Sequence, residues 1–485
     1  MPRRKGYIPE PGALLNLLME ANHCDDKLLK LESLTDFYSK YGLFRYENKV
    51  YIFDPKLTQT VINKLEKGAG DYLDNSPLKD TFLGSSSRNP EIRRAIAELF
   101  RKSTLHGKGG LIIQDVENMC TRMQKESEAG QLINMTDWSL RMALDIVGHM
   151  LLQLDLFALE GQQSELIQSL LTILHKCYAM GEITPESPEF RSAEAALERR
   201  TTAILDSALG VEDRGADTRL VVRLHEACGF NQARDNMKLF IMAGSETTAS
   251  TIPVLIYLLT TFPLVQCIHC ECNLQIKPDN SERLGLRFYG LLKNRLICTF
   301  VEKLLFTILT YNCNYFNRQE ELRKEADDNI AAMRKHPALP LPKTEAVLRE
   351  VLRVYPIAPF ISRQTTQDLT IGDITFPANT DIKAFTWGIH RSATQWSKPK
   401  DFIPFRFLEP IVRSAQTMYI PFGAGSRICI GQHLAMLELK IACAMMVNRF
   451  KFERVKETPE LRFVTDWAHA VVHPDKDMLF RLTPR

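Results

Sequence analysis

The chain has 485 residues, of which 45% are apolar and 25% are charged, and its formal net charge is +3. These values are typical of a globular protein with a sizeable core, and they exclude a disordered chain and a strongly basic nucleic-acid-binding protein. The eleven cysteines lack the spacing of a disulfide framework, which favours a reducing compartment.

The N-terminal segment, residues 1–27, has a basic start but no membrane anchor. Met1-Pro2-Arg3-Arg4-Lys5 is not followed by an apolar run of about 20 residues, the length that spans a bilayer. Glu10 and Glu20 interrupt the segment and serines are missing, so it is also a poor transit peptide. We expect either a soluble protein or a chain that lacks its first exon.

The first half of the chain predicts helices beside a small β region. Residues 28–41 have helical periodicity, and residues 43–54 predict two short strands. Residues 66–90 are rich in Gly, Asp, Asn, Ser and Pro and predict a loop, after which residues 90–102 form a helix. Residues 110–235 alternate amphipathic helices with polar breaks.

Residues 231–262 predict a long apolar helix with polar residues at its centre. The run Ala243-Gly244-Ser245-Glu246-Thr247-Thr248 is locally unfavourable in a helix, and such violations tend to mark functional sites. Its alternative interpretation is a buried threonine bonded to its own helix, beside a surface glutamate. Pro253 removes one helical hydrogen bond and predicts a kink.

Residues 343–354 predict a helix that carries Glu350 and Arg353 on one face. An isolated pair of this kind would be a surface salt bridge of little energetic value. Arg406, in the segment Pro404-Phe405-Arg406-Phe407, supplies a third partner. The three residues together favour a buried network.

Residues 421–431 read Pro-Phe-Gly-Ala-Gly-Ser-Arg-Ile-Cys-Ile-Gly and place one cysteine in a glycine-rich loop. An apolar series at helical spacing follows the loop: Leu434, Leu437, Ile441 and Met445. The N–H groups at a helix start would stabilise a thiolate at Cys429, and a thiolate is a good ligand for haem iron. The alternative is a small, buried structural cysteine.

The complete pattern Phe-x-x-Gly-x-Arg-x-Cys-x-Gly resembles the haem-binding loop of the cytochrome P-450 family. Length alone predicts about three domains, but the resemblance implies one large domain, mainly α with a smaller β region, over residues 28–485. It also implies haem b (iron protoporphyrin IX) with Cys429 as the axial ligand of its iron. The other loop residues implied to bind the cofactor are Phe422, Gly423, Arg427 and Gly431.

Two further residues, Arg93 and Arg363, match arginines that contact haem propionates in the family. A guanidinium suits this role because it pairs with a carboxylate through two hydrogen bonds. Asn89 stands where the family motif Trp-x-x-x-Arg has its tryptophan, and a register one residue later would select Arg94 instead. The alternative for Arg93 is a solvated arginine on a basic helix face.

The resemblance also assigns roles to the polar residues of the two helices. The run around Glu246 and Thr247 resembles the family's oxygen-activation motif, in which the threonine holds a water next to dioxygen and the acid helps to relay protons. Glu350, Arg353 and Arg406 resemble the network that fixes the cysteine loop from behind.

A haem-thiolate monooxygenase that inserts one oxygen atom from O2 into a small apolar substrate is the implied function. Its implied electron donor is an NADPH-dependent reductase or a ferredoxin-type protein, and no nucleic acid is expected. Sterols, fatty acids and xenobiotics stay open as substrates. The alternatives are a reductase-independent isomerase or dehydratase of the same fold, and a non-catalytic haem binder.

An acidic electron donor could bind basic residues that lie near the cysteine in sequence. These residues are Lys398, Lys400, Arg413 and Lys440. Scattered solvated charges are the alternative. An intracellular location is expected, at the endoplasmic reticulum or mitochondrial membrane if the native chain has an N-terminal extension, and otherwise in the cytoplasm.

Residues 267–319 interrupt the family pattern, which otherwise runs from Gln266 directly to Glu320. The stretch holds five cysteines: Cys267, Cys270, Cys272, Cys298 and Cys313. It could bind zinc, but a second ligand pair of suitable spacing is missing; it could touch a membrane through its apolar residues. We favour a third interpretation, a translated intron, and we expect a protruding excursion whose flanking helices pack as though it were absent.

Overall fold

The computed structural model of the protein describes residues 8, 10–11, 27–65, 81–82, 89–160, 165–173, 186–210, 219–261, 318–408, 418–466 and 471–485. Within these residues the fold is mainly helical with a smaller β region, which confirms the predicted fold class. The helices are α1 (Lys27–Phe37), α2 (Pro55–Lys64), α3 (Asn89–Ile96), α4 (Lys102–Gly107), α5 (Gly109–Glu128), α6 (Met135–Val147), α7 (Glu165–Leu171), α8 (Pro188–Leu209), α9 (Leu220–Cys228), α10 (Phe230–Thr261), α11 (Arg318–Lys335), α12 (Pro342–Val354), α13 (Thr386–His390) and α14 (Gln432–Arg449).

The strands form small sheets among the described residues. Their bounds are β1 (Leu43–Tyr46), β2 (Lys49–Ile52), β3 (Ile133–Asn134), β4 (Phe360–Gln364), β5 (Leu369–Ile371), β6 (Ile374–Phe376), β7 (Asp381–Phe385), β8 (Phe450–Glu453), β9 (Phe463–Asp466), β10 (Val471–Pro474) and β11 (Leu479–Pro484). The largest sheet has the order β1-β2-β7-β4, in which only β2 and β7 run parallel. The others are β3-β11-β8, β10-β9 and β5-β6.

Helix α10 runs through the core and packs most extensively against α6. Its bounds, Phe230–Thr261, agree with the helix predicted over residues 231–262. It is long and apolar enough to cross a membrane, but its most apolar window is 83% buried inside the fold. Its apolar character is therefore explained by its position in the core.

Helix α11 continues the fold after the atypical stretch and positions α12. The Glu325 carboxylate accepts hydrogen bonds from the N–H groups of Lys343 and Thr344, both at 2.8 Å, and from the Thr344 hydroxyl at 2.7 Å. The first N–H groups of a helix have no partner within the helix. Glu325 therefore caps α12, the helix that carries Glu350 and Arg353.

The last two residues of the atypical stretch predicted over 267–319 lie in a described helix. Helix α11 begins at Arg318, and the buried Gln319 side chain bonds both the N–H and the carbonyl of Phe452 in β8, at 2.8 and 3.2 Å. These bonds tie Gln319 to the fold. Residues 267–317, with their five cysteines, lie outside the described residues, as do most of residues 1–27 and of the loop predicted at 66–90.

The helix predicted over residues 90–102 is interrupted. Helix α3 ends at Ile96, a 3-10 turn follows over Ala97–Phe100, and Arg101 is extended before α4 begins. Helix α3 nevertheless keeps Arg93 and Arg94 on one continuous helical segment. The side chains of these two arginines therefore point in different directions.

Candidate active site

The cysteine loop folds back on itself just before α14. The Cys429 N–H donates to the Phe422 carbonyl at 2.9 Å, and Gly425–Arg427 form a 3-10 turn between them. Gly423 and Gly425 have φ of +75° and +71°, a region that residues with a side chain rarely adopt. The two glycines thus allow the tight loop that presents Cys429.

The Cys429 sulfur is accessible from one side and surrounded by protein on the others. Its side chain is exposed, yet burial among neighbouring groups raises the pKa of the thiol. The backbone N–H groups of Gly431 and Gln432 and the positive charge of Arg93 oppose this rise. These groups favour the thiolate but do not outweigh burial, so the pKa of the thiol is raised overall.

Gly431 differs from the other loop glycines because its φ of −81° is open to any residue. A Cβ atom at this position would lie 3.8 Å from Cys429 Sγ. Phe422, Gly423 and Arg427 are half-buried around the same loop. The predicted loop residues therefore lie together around the sulfur.

Arg93 points toward the cysteine loop, whereas Arg94 is exposed. Arg93 Nη2 donates to the carbonyl of Ile428 at 2.7 Å. The register that selects Arg93 is therefore the one that reaches the site. The observed hydrogen bond joins Arg93 to the backbone next to Cys429. Pairing of Arg93 with a haem propionate stays a prediction.

Asn89, which stands where the family motif has tryptophan, is linked to α10 through Phe82. The sequence did not predict this link. Asn89 Nδ2 donates to the Phe82 carbonyl at 2.6 Å, and the Phe82 N–H donates to Oδ1 of Asn236 on α10, also at 2.6 Å. The Phe82 ring lies 5.9 Å from the Arg93 guanidinium, within cation–π range. The Phe82 ring thus lies beside the Arg93 guanidinium.

Arg363, on β4, is buried and anchors the end of α2. Its guanidinium contacts the Ile62 carbonyl at 3.3 and 3.4 Å and the Ser362 carbonyl at 2.8 Å. A Cβ atom at Gly425 would lie 3.6 Å from the same Ile62 carbonyl. Arg363 therefore lies next to the cysteine loop through Ile62.

On α10, Ala243 is exposed and Thr247 is half-buried, one helical turn apart on the same face. Thr247 Oγ1 donates to the Ala243 carbonyl at 3.1 Å. Gly244 serves packing against α6, because a Cβ atom there would lie 2.8 Å from Val147 Cγ2. Gly244 thus allows a close contact between α10 and α6.

Glu246 is buried and does not share the accessible face with Thr247. Its Oε1 lies 2.9 Å from Nε2 of His473 on β10. The surface glutamate of the alternative interpretation is therefore wrong. Its other half, a threonine bonded to a carbonyl of its own helix, is observed, with Thr247 half-buried. The predicted acid and threonine are adjacent in sequence but point to different neighbours.

Helices α10 and α14 are joined by a buried polar contact next to Thr247. Thr248 Oγ1 donates to Oε2 of Glu438 at 3.3 Å. Burial, and to a lesser extent the charge of Asp115, raise the pKa of Glu438 well above its usual range, although the Thr248 hydrogen bond opposes them. Burial therefore favours the uncharged form of Glu438 in the folded protein.

Glu438→Gln is expected to stabilise the protein at pH 7.5. Because the folded-state pKa of Glu438 is raised, its contribution to stability is complete below the unfolded pKa and is lost as pH rises, by about 1.4 kcal/mol per pH unit. Glutamine cannot titrate and still accepts the Thr248 bond. The unfolding temperature of the variant should exceed that of the wild type by more at pH 7.5 than at pH 5. Glu457→Gln, at an exposed position, is the control, and a less stable Glu438→Gln at pH 7.5 would contradict an uncharged Glu438.

Glu350, Arg353 and Arg406 form a buried network behind the loop. Arg353 binds both carboxylate oxygens of Glu350 at 2.8 Å, and both side chains are 0% exposed. Arg406 Nε donates to Glu350 Oε1 at 3.1 Å. The structure thus brings together the three residues that the sequence grouped.

The same network reaches the cysteine loop through His390, which the sequence analysis did not assign to the site. Arg353 Nη1 donates to the His390 carbonyl at 2.7 Å, and His390 Nε2 accepts the N–H of Ile420 at 2.9 Å. Burial and the charge of Arg353 lower the pKa of His390 to about 3. His390 is therefore neutral, with its Nε2 free to accept.

Two of the basic residues expected to bind an electron donor are engaged within the fold. Lys440 is buried and donates to the Leu339 carbonyl at 2.8 Å. Lys400 contacts carboxylate oxygens of Glu32 and Asp36 at 2.9 and 3.4 Å. Lys398 is exposed, and Arg413 lies outside the described residues.

A different basic group lies beside the start of α14. Lys102 and His106 on α4 are exposed, and His433 on α14 is half-buried. Burial, followed by the charges of Lys102 and His106, lowers the pKa of His433, which disfavours a positive charge on its ring. This group, Lys102–His106–His433, adjoins the helix that follows Cys429.

The residues around Cys429 fit a haem held through a thiolate. The sulfur is accessible, two backbone N–H groups and one guanidinium favour its anionic form, and the loop is glycine-rich. A donor set of this kind is the one that thiolate-ligated haem requires.

Comparison with known proteins supports the same family. The sequence model of the cytochrome P450 family matches residues 305–480. Steroid 17-alpha-hydroxylase/17,20 lyase of Rattus norvegicus is 32% identical over 184 residues, 35% of this chain and 36% of that protein. Cytochrome P450 3A12 of Canis lupus familiaris is 27% identical over 248 residues, 51% and 39% of the two chains. Probable cytochrome P450 4s3 of Drosophila melanogaster is 31% identical over 144 residues, 30% and 29% of the two chains.

In these comparisons the chain spans between 29% and 39% of the length of the curated relatives. The family match begins at residue 305, inside the atypical stretch, and ends beyond the cysteine loop. It therefore includes Glu350, Arg363, Arg406 and Cys429, whereas Arg93, Glu246 and Thr247 precede it.

Proposed function

We propose that this chain is a member of the cytochrome P450 family, as its matches to that family support, and that it is a haem-thiolate monooxygenase that inserts one oxygen atom from O2 into an apolar organic substrate. The observation that carries this proposal is the accessible Cys429 sulfur, held in a glycine loop with N–H donors at the start of α14. A buried structural cysteine would need neither the accessibility nor the donors.

The cofactor would be held by residues on three sides of the loop. Cys429 would ligate the iron, with Phe422, Gly423, Arg427 and Gly431 around it, and Arg93 and Arg363 would pair with the propionates. The bond from Arg93 to the Ile428 carbonyl, which directs its side chain to the loop, supports this role for Arg93. Haem b, when bound, supplies the electron-transfer and oxygen chemistry that side chains lack.

The accessible face of α10 would hold and transfer the protons that the reaction uses. Thr247 Oγ1 is half-buried beside the exposed Ala243, where it could hold a water molecule. Glu246, one residue away, would supply protons to that water from the buried side of the helix. The presence of Thr247 supports a monooxygenase over a reductase-independent isomerase.

Electrons would come from NADPH through a reductase or a ferredoxin-type donor. Lys102, exposed beside the start of α14, could bind an acidic donor, whereas Lys440 is buried and Lys400 contacts two carboxylates. Steroids are the first substrate class to test, since the names of similar proteins include a steroid hydroxylase. Association with the endoplasmic reticulum or a mitochondrial membrane is part of this proposal.

Thr247→Ala is expected to keep haem binding while diverting electrons to peroxide. Without the hydroxyl, protons reach the reacting oxygen less efficiently, so hydrogen peroxide released per NADPH should rise by about tenfold or more. The measurement is peroxide and NADPH in the haem-loaded full chain with a reductase and progesterone as probe. Thr260→Ala is the control, because its hydroxyl also bonds a carbonyl of its own helix, that of Ile256. An unchanged peroxide ratio in Thr247→Ala would remove this residue from the mechanism.

A further inference from the structure

Glu246 and His473 form a buried contact between two distant parts of the chain. Their side chains are 8% and 5% exposed, and Glu246 Oε1 lies 2.9 Å from His473 Nε2. Neither atom has an aligned hydrogen bond to any described residue, so the two atoms are in proximity without the alignment of a hydrogen bond. Two buried polar atoms that face each other without other partners need a reason, because burial of an unpaired polar group is unfavourable.

The second ring nitrogen of His473 fixes the direction of the imidazole. Nδ1 lies 2.8 Å from Oγ of Ser250. Ser250 is four residues after Glu246 on α10, so both residues share one helix face. When Nδ1 accepts the Ser250 hydroxyl proton, the neutral ring carries its own proton on Nε2, the nitrogen that faces Glu246.

This geometry constrains the Glu246 carboxyl group. Glu246 extends from the helix that also carries Thr247, but its Oε1 is directed to β10. With Oε1 held by the imidazole, Oε2 is the oxygen left for exchange with the Thr247 side. A carboxyl group free to rotate inside the core would present either oxygen, or neither, to the site.

We propose that His473 is a positioning residue for Glu246: it fixes the carboxyl group so that proton delivery toward Thr247 runs through one defined oxygen. This inference rests on the proposed monooxygenase function and extends its proton pathway to β10. Ser250 belongs to the same arrangement, because its hydroxyl contacts Nδ1 of His473 at 2.8 Å.

Substitutions at position 473 can separate the two ring nitrogens. In His473→Gln the longer amide can reach Glu246 as Nε2 does, whereas in His473→Asn the shorter amide can reach only Ser250, as Nδ1 does. His473→Leu removes both contacts. His225→Leu, on α9 and outside the site, is the control for loss of a half-buried imidazole.

The first measurement is peroxide released per NADPH in haem-loaded full-length protein. We expect His473→Leu and His473→Asn to raise it by about tenfold, a change equivalent to about 1.4 kcal/mol, and His473→Gln to stay within about twofold of the wild type. In a Glu246→Gln background the His473→Leu substitution should add nothing, because the residue acts through Glu246. Equal peroxide ratios in all variants, or an equal effect in both backgrounds, would overturn the proposal.

The second measurement does not depend on turnover. The unfolding temperatures of Glu246→Gln, His473→Leu and the double variant should be non-additive, since the two side chains are in contact. Additive shifts would show that the contact does not exist in solution and would also overturn the proposal. A wild type without a thiolate-type carbon monoxide spectrum would refute the proposed function itself, whereas a normal wild type with unaffected variants would refute only the role of His473.

Discussion

Replacing Cys429 with alanine is expected to abolish the strongly red-shifted carbon monoxide band of the reduced protein. The band depends on electron density that a thiolate pushes onto the haem iron. Cys429 is the cysteine whose sulfur is accessible among the described residues; Cys120, Cys228 and Cys443 are buried. Cys429 is not among the described residues with positive φ, so alanine can adopt its backbone conformation. The effect should therefore be loss of the ligand.

The control for this variant is Cys443→Ala. Burial raises the pKa of Cys443 to about 12, so its thiol is neutral and unsuited to bind iron. It should show the wild-type band. A band that survives in Cys429→Ala would mean that another residue ligates the iron and would refute the central assignment.

The sequence predicted those features that depend on local pattern. The helical periodicity and caps located α10 and α12 to within a residue at each end, and the spacing of Glu350 and Arg353 predicted one shared face. The glycine positions around Cys429 predicted a tight loop, which Gly423 and Gly425 form with positive φ. The local sequence pattern was sufficient for these elements, because their conformation depends on contacts between residues a few positions apart.

The sequence could not predict contacts between distant residues. The pairs Glu246–His473 and Phe82–Asn236 join positions separated by more than a hundred residues, and each residue looks ordinary in its own segment. Lys440 was expected at the surface, but the course of the chain places the Leu339 carbonyl against it. Long side chains can bury their stems and find partners that only the tertiary structure supplies.

Loss of either partner of the Glu350–Arg353 pair is expected to leave little haem-loaded protein. Breaking a buried ion pair costs about 3–5 kcal/mol because the remaining charge stays buried, a large part of a total stability of about 5–15 kcal/mol. Glu350→Ala and Arg353→Ala should therefore lower the unfolding temperature and the haem content. The matched control is Arg323→Ala, because Glu320 and Arg323 have the same spacing but are 31% and 29% exposed, where a pair contributes at most about 1 kcal/mol.

Arg353→Ala should be the more damaging of the two substitutions. Arg353 also donates to the carbonyls of His390, Pro399 and Asp401, at 2.7, 2.7 and 2.9 Å, and each buried acceptor left without a donor costs about 1–3 kcal/mol. In Glu350→Ala those three bonds persist. Arg353→Lys should rescue little, because a lysine cannot reproduce the planar guanidinium that binds both carboxylate oxygens. The His390 ring accepts the N–H of Ile420, two residues before Phe422. Removal of the Arg353 guanidinium should therefore also disturb the cysteine loop. Normal haem content in Arg353→Ala would show that the network does not support the loop.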